Sequence, residues 1–146
     1  MSLVLTALIA LTAFPFLSVA IKNETIEYFP DGSYGITEIV EYSDKAVTGT
    51  KTSSKNYKYY NSSNELLWKV TLTATFTYNG STSSCTSASP GHTVYNSNWK
   101  VKTATASYSG NTATGNYTVK RYALLVPVET VNKTLTLKCD KNGNVS

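Results

Sequence analysis

Residues Leu66 to Tyr78, Leu-Leu-Trp-Lys-Val-Thr-Leu-Thr-Ala-Thr-Phe-Thr-Tyr, alternate apolar and polar side chains along almost their whole length. Successive strand side chains leave on opposite faces, whereas a helix repeats about every 3.6 residues, so the run reads as a long half-buried β-strand. Leu66, Trp68, Val70, Leu72, Ala74, Phe76 and Tyr78 are expected to face a core. Lys69 and the threonines between them face water or a partner, as in an antiparallel sheet covered on one side. Elsewhere, beyond the leader described next, no stretch shows a helical period.

The first twenty residues carry no charge, run apolar from Leu3 to Leu17, contain Pro15 and end Ser18-Val19-Ala20. That pattern predicts a signal peptide over 1–20 with cleavage after Ala20, although Met1-Ser2-Leu3 lacks the usual basic residue. A retained apolar anchor is the alternative. The remaining 21–146 is the size of one domain. The two cysteines, Cys85 and Cys139, lie behind an export signal, which favours a disulfide between them, with two buried free thiols as the alternative.

The net charge of +4 hides an asymmetry. Residues 21–44 hold Glu24, Glu27, Asp31, Glu38, Glu41 and Asp44 against Lys22 alone, while 45–146 is basic. An acidic hairpin lying beside basic strands accounts for this, since cross-strand pairs of opposite sign help set register. A basic face for anionic polymers such as wall teichoic acids is the sharper reading, with Lys100, Lys102, Lys120 and Arg121 the nearest thing to a patch.

Glu24 to Phe29 and Ser33 to Tyr42 read as strands joined at Pro30-Asp31-Gly32. Lys45 to Lys55 is a solvated edge strand or a loop. Tyr57 to Tyr60 is extended, and Asn61-Ser62-Ser63-Asn64 is a turn. Past Asn79-Gly80, the Ser/Thr-rich stretch to Gly91 is a short strand or a tethered loop. Thr93–Tyr95, Trp99–Tyr108, Thr112–Val126 and Thr130–Cys139 follow as strands, with a hairpin turn at Gly110-Asn111 and an edge or bulge at Pro127. Tyr-Asn-Ser, Trp-Lys-Val and Thr-Ala-Thr occur in order twice, leading through Trp68 and again through Trp99, which puts both tryptophans in the core. The fold class expected is all-β: a single antiparallel β-sandwich or flattened barrel of about seven to ten strands.

Catalytic groups are scarce. His92 is the sole imidazole, in a stretch read as a loop, and nothing around it resembles a nucleophile elbow. Glu38 and Glu41 could pair as glycosidase carboxylates only if they shared a face, and alternation separates them. Asp140-Lys141-Asn142-Gly143-Asn144 begins like a calcium loop without the distant Glu, and reads as a closing turn. No catalytic residue, metal or cofactor is expected. Nucleic acid is not an expected partner, nor is a membrane once the leader is gone. Sequons at Asn23, Asn61, Asn79, Asn116 and Asn132 follow from the Asn, Ser and Thr content.

The leader, Tyr-Phe-Pro-Asp-Gly-Ser-Tyr at 28–34, Tyr-Tyr-Asn-Ser-Ser-Asn before Leu-Trp-Lys-Val, Val-Tyr-Asn-Ser-Asn-Trp-Lys-Val and the closing Leu-Lys-Cys-Asp-Lys-Asn-Gly together resemble small secreted proteins of clostridial-type Gram-positive bacteria. The resemblance implies an exported bacterial protein at the cell surface and carries over no functional residue. The leading functional expectation is a non-catalytic module binding a polysaccharide or wall polymer through Tyr57, Tyr59, Tyr60, Lys100 and Lys102, because tyrosines stack on sugar rings. The alternative is a structural domain whose exposed strand edge pairs with a surface protein.

Overall fold

The computed structural model describes residues 17–44 and 49–146. Most of the expected leader lies outside the described residues; its last four, 17–20, open the first strand. Eight strands follow in chain order: β1 (Leu17–Tyr28), β2 (Tyr34–Asp44), β3 (Thr50–Tyr60), β4 (Leu66–Tyr78), β5 (Ser83–Val94), β6 (Trp99–Ser109), β7 (Thr112–Ala123) and β8 (Val126–Lys138). They form a five-stranded sheet, β1 to β5 in order, and a three-stranded sheet, β6 to β8 in order. Every neighbouring pair is antiparallel. The two sheets pack together as the expected β-sandwich.

β4 is the spine of the core. Trp68, Val70, Leu72, Ala74 and Phe76 are buried, as their alternation requires, and Tyr78 packs at the edge of the cluster. Leu67 is buried as well as Trp68, because a bulge opposite Tyr59 and Tyr60 lets one β4 residue pass unpaired; such a bulge re-aims the adjoining side chains. Across the sandwich, Ala113, Tyr117, Val119, Leu135 and Leu137 close the same core. Its densest part is aromatic. Tyr59 stacks on Trp68 at 5.1 Å and meets Trp99 edge-on at 5.5 Å, and the two tryptophans are 5.9 Å apart. Both tryptophans are therefore core residues, each contributed by a different sheet.

Of the polar stretch Lys45 to Lys55 read as an edge strand or loop, 45–48 lie outside the described residues, and 50–55 belong to β3, an interior strand between β2 and β4. Three of its polar side chains are matched across the sheet: Thr52 with Thr75 at 2.9 Å, Ser54 with Thr73 at 2.8 Å, and the Thr71 hydroxyl donating to Asn56 at 2.8 Å, while the buried Ser53 hydroxyl has no partner among the described residues. A strand this polar is tolerated inside a sheet because buried polar groups are costly only when unpaired. Similarly, Ser83–Val94 is a full strand that takes in His92 and Pro90. β5 ends its sheet, which is where a residue without an N–H is accepted.

The acidic hairpin β1–β2 docks on the basic body through ion pairs. Glu38 meets Lys58 at 2.8 Å, Glu27 meets Lys133 of the other sheet at 2.8 Å, and Glu41 is held by Lys22 at 2.8 Å and Lys51 at 3.6 Å. Glu38 and Glu41 serve separate clusters, as their opposite faces require. Tyr57 donates to Glu27 at 2.5 Å while Lys133 sits 3.9 Å over its ring. That ring lies against Gly35, and the Tyr117 ring likewise folds over Gly115; each glycine is the space its tyrosine occupies.

The expected Cys85–Cys139 disulfide is corrected: both are free, buried thiols. Cys85 Sγ donates to the Ser87 carbonyl at 3.3 Å and Cys139 Sγ to the Asp140 carbonyl at 3.4 Å. The two segments are pinned through the β6–β7 turn instead. Cys85 N–H donates to the Gly110 carbonyl at 2.8 Å and Cys139 N–H to the Asn111 carbonyl at 3.1 Å. Burial pushes both thiols up from their ordinary value.

Candidate functional site

Antiparallel strands in succession return every second turn to the same end of the molecule, so the β1–β2, β3–β4, β5–β6 and β7–β8 connections converge. Each is braced by its own polar residue. In the first, the Asp31 carboxylate accepts the Ser33 N–H at 3.0 Å and its hydroxyl at 2.5 Å, and that hydroxyl lies 2.9 Å from the Tyr59 hydroxyl. In the second, Asn61 Oδ1 accepts the N–H groups of Ser63 at 3.0 Å and Glu65 at 2.9 Å. In the third, Asn96 Oδ1 accepts the Asn98 N–H at 3.0 Å, while the Asn98 carbonyl takes the Tyr122 N–H at 2.8 Å. At the fourth, Arg121 and Glu129 pair across β7 and β8 at 2.9 Å.

Between these turns lies a cleft of about 310 Å³ lined by Asp31, Ser33, Tyr59, Asn61, Ser62, Leu67, Asn96, Asn98, Trp99, Arg121 and Glu129. A second cleft of about 300 Å³ shares Asp31, Ser33, Tyr59 and Glu129 as its wall and adds Phe29, Pro30 and Val131. The first cleft thus sets amide, carboxylate and guanidinium groups around a floor of buried Tyr59 and Trp99, polar groups able to orient a hydroxyl-rich ligand. The hydrogen bonds from Ser33 hold Asp31 below the usual carboxylate range. Asp31 is therefore an ionised acceptor at neutral pH and is poorly suited to give a proton as a general acid.

The sequence-expected site is dispersed. Tyr57 and Tyr59 are 0% and 5% exposed, inward-facing on β3, so neither offers an open ring face to a sugar; only Tyr59 reaches a cleft wall. Tyr60 points to the outer face, where it stacks on Tyr34 at 4.8 Å, and Tyr34 in turn meets the exposed Tyr28 at 5.9 Å. Lys100 and Lys102 are exposed on β6, in the other sheet. The interior position of β3 is the physical reason, since an edge or loop segment would have left its tyrosines open. Reasoning from sequence missed Asp31, Asn96, Asn98 and Glu129, placed Trp99 only in the core and named Arg121 only in a basic patch with Lys100, Lys102 and Lys120. The available signal was turn parity: residues flanking the odd-numbered turns of a meander meet at one end.

His92 is exposed on β5 opposite Val70, remote from this cleft's lining. Asp140 closes the C-terminal turn by accepting the N–H groups of Asn142 and Asn144 at 2.8 and 2.9 Å, consistent with the closing turn expected there. No group of three or more metal-ligating side chains occurs among the described residues, and no helix among them is long and apolar enough to cross a membrane. The chain matches no protein-family model, no curated protein and no solved structure.

Proposed function

We propose that the protein is an exported, non-catalytic binding module of the cell surface whose ligand is a polysaccharide or wall polymer, held in the cleft at the end of the sandwich. The observation that carries this reading is the cleft's polar rim: Asp31 from the β1–β2 turn, Asn61 from the β3–β4 turn, Asn96 and Asn98 from the β5–β6 turn and Arg121 near the β7–β8 turn, over a floor of buried Tyr59 and Trp99. Sugars present many hydroxyls, and such a rim offers them acceptors, donors and a cation. The uncharged apolar stretch from Leu3 to Leu17 supports export.

The test is co-sedimentation of the protein with peptidoglycan sacculi, with and without wall teichoic acid, and with cellulose and chitin. Asp31→Ala combined with Asn98→Ala is expected to weaken pelleting about thirtyfold, from two lost hydrogen bonds of roughly 1 kcal/mol each, while Lys102→Ala leaves it unchanged. Pelleting that survives the cleft variants and fails with Lys102→Ala would move the site to the basic strand β6.

A second reading is favoured by one observation. Among the described residues β1 ends its sheet with no strand beyond it, and Val19, Ile21, Ile26 and Tyr28 are exposed along it. A bare apolar edge is a template for pairing with another chain. Sedimentation velocity over a concentration series tests it: assembly abolished by Ile21→Lys supports edge pairing, and a monomer throughout that captures no surface protein rejects it.

A further inference from the structure

The β7–β8 hairpin ends in a feature that the cleft does not use. Ala123, Leu124, Leu125, Val126, Pro127 and Val128 are consecutive, uncharged and all exposed, Leu124 to 98% and Leu125 to 90%. Ala123 pairs with Val126, so the two leucines form the whole turn. Both have positive φ, 47° and 70°, the backbone of a two-residue hairpin turn normally built from Asn and Gly. Leucine is disfavoured there, and strain of this kind collects at functional positions.

The base of the same hairpin carries a second unfavourable arrangement. Lys100 and Lys120 are direct cross-strand partners on β6 and β7, a like-charge pairing that destabilises a sheet. Neither forms an ion pair among the described residues. Arg121 follows, tied to Glu129, and Lys100 lies over the Tyr122 ring at 5.4 Å. An apolar tip, an aromatic at its neck and an unneutralised cationic pair behind it are arranged in that order along one projection.

We propose that the Leu124–Leu125 tip inserts into the surface of an anionic lipid bilayer. The spacing fits: four residue steps separate Leu124 from Lys120, roughly 13 Å at about 3.3 Å each. Leucines sunk into the headgroup and acyl boundary therefore leave the lysines level with the phosphates. The tip's ladder is paired up to Ala123 and Val126, so shallow insertion strands few backbone polar groups. A convex tip with side chains spread around it suits a fluid apolar layer better than a preformed pocket, and the lysine pair selects negative charge. The inference is independent of the glycan reading and reverses the sequence-based expectation of no membrane contact.

The test places an environment-sensitive NBD fluorophore on Val126→Cys in the full chain, with Ser109→Cys at the opposite end of the sandwich as the control. Cys85 and Cys139 are buried, so labelling falls on the introduced thiol. With equimolar phosphatidylcholine and phosphatidylglycerol vesicles, the 126 probe is expected to brighten several-fold and shift to the blue while the 109 probe does not; phosphatidylcholine alone gives a smaller change. Adding Leu124→Asn with Leu125→Gly, which preserves the turn, should abolish the signal. No change at 126, an equal change at 109, or a signal that survives the Asn-Gly turn overturns the proposal; in that case the tip serves a protein pocket or nothing.

Discussion

Replacing Leu124-Leu125 by Asn-Gly should stabilise the protein, against the usual expectation for removing two leucines. The left-handed conformation costs an ordinary residue roughly 1–2 kcal/mol, and both turn residues adopt it. Asn and Gly accept it readily, but Gly also loses about 0.5–1 kcal/mol through the freedom of the unfolded chain. At 98% and 90% exposure the leucines have almost no packing to forfeit. The net gain is therefore about 1–3 kcal/mol, which for a domain of this size raises Tm by roughly 3–10 °C. Near-UV circular dichroism during thermal unfolding and urea midpoints would measure it, with Leu125→Gly alone expected to recover about half. An unchanged or lowered midpoint would refute the reasoning, because it would mean that the leucines pack on something or that the turn is not strained.

Gly35→Ala should destabilise the fold by about 3 kcal/mol, since the added methyl group collides with the Tyr57 ring and shifting that ring breaks its bond to Glu27; a loss under about 1 kcal/mol in urea unfolding would contradict it. Both thiols should resist Ellman's reagent in the native state and react as two equivalents in guanidinium, because both are buried and free; no reaction after unfolding would show them to be joined. Acid should weaken the docking of the β1–β2 hairpin. Burial alone would raise Glu38, but hydrogen bonds from Lys58 and Asn56 and the charge of Lys58 outweigh it, and Glu27 is lowered in the same way by Lys133 and Tyr57. A carboxylate lowered on folding stabilises above its unfolded value of about 4.5 and loses that contribution as pH falls through the folded one. Urea midpoints should thus hold at neutral pH and drop below about pH 4.5, less steeply in Glu38→Gln.

The sandwich was legible because β4 carries a period of two that burial follows from Trp68 to Phe76, the bulge at Leu66 and Leu67 being the exception. β3 was illegible for a specific reason: its partners Thr73, Thr75 and Thr71 lie on β4 about twenty residues away, and only that pairing turns a polar run into interior strand. The same gap misplaced the ligand site, since an interior β3 buries Tyr57 and Tyr59. The disulfide failed differently. Two cysteines in an apparently exported chain make a bond plausible by context, but context does not fix Sγ positions, and hydrogen bonds from Cys85 and Cys139 to the β6–β7 turn hold the segments without it.

The two ends of the sandwich differ in what their turns present, and that difference locates function better than any one residue does. At the end carrying the C-terminal turn, Lys51 donates to the Gly143 carbonyl at 2.6 Å, Asn111 and Ser83 both donate to the Cys139 carbonyl at 2.7 Å, and Asp140 is bonded by Asn142 and Asn144. Those bonds tie the turns of that end to one another, around an open cleft of about 510 Å³ between Gly49, Tyr78, Asn79, Gly80, Lys141 and Asn142 that carries no aromatic–guanidinium–carboxylate combination. At the other end Lys100 faces Lys120, two leucines occupy a turn that suits Asn-Gly, and an open cleft exposes Asp31 and Arg121. Each feature is individually removable by one or two substitutions that the fold would accept or welcome. A chain that needed only to fold would have no reason to concentrate them at one pole, so that pole is where binding should be sought first.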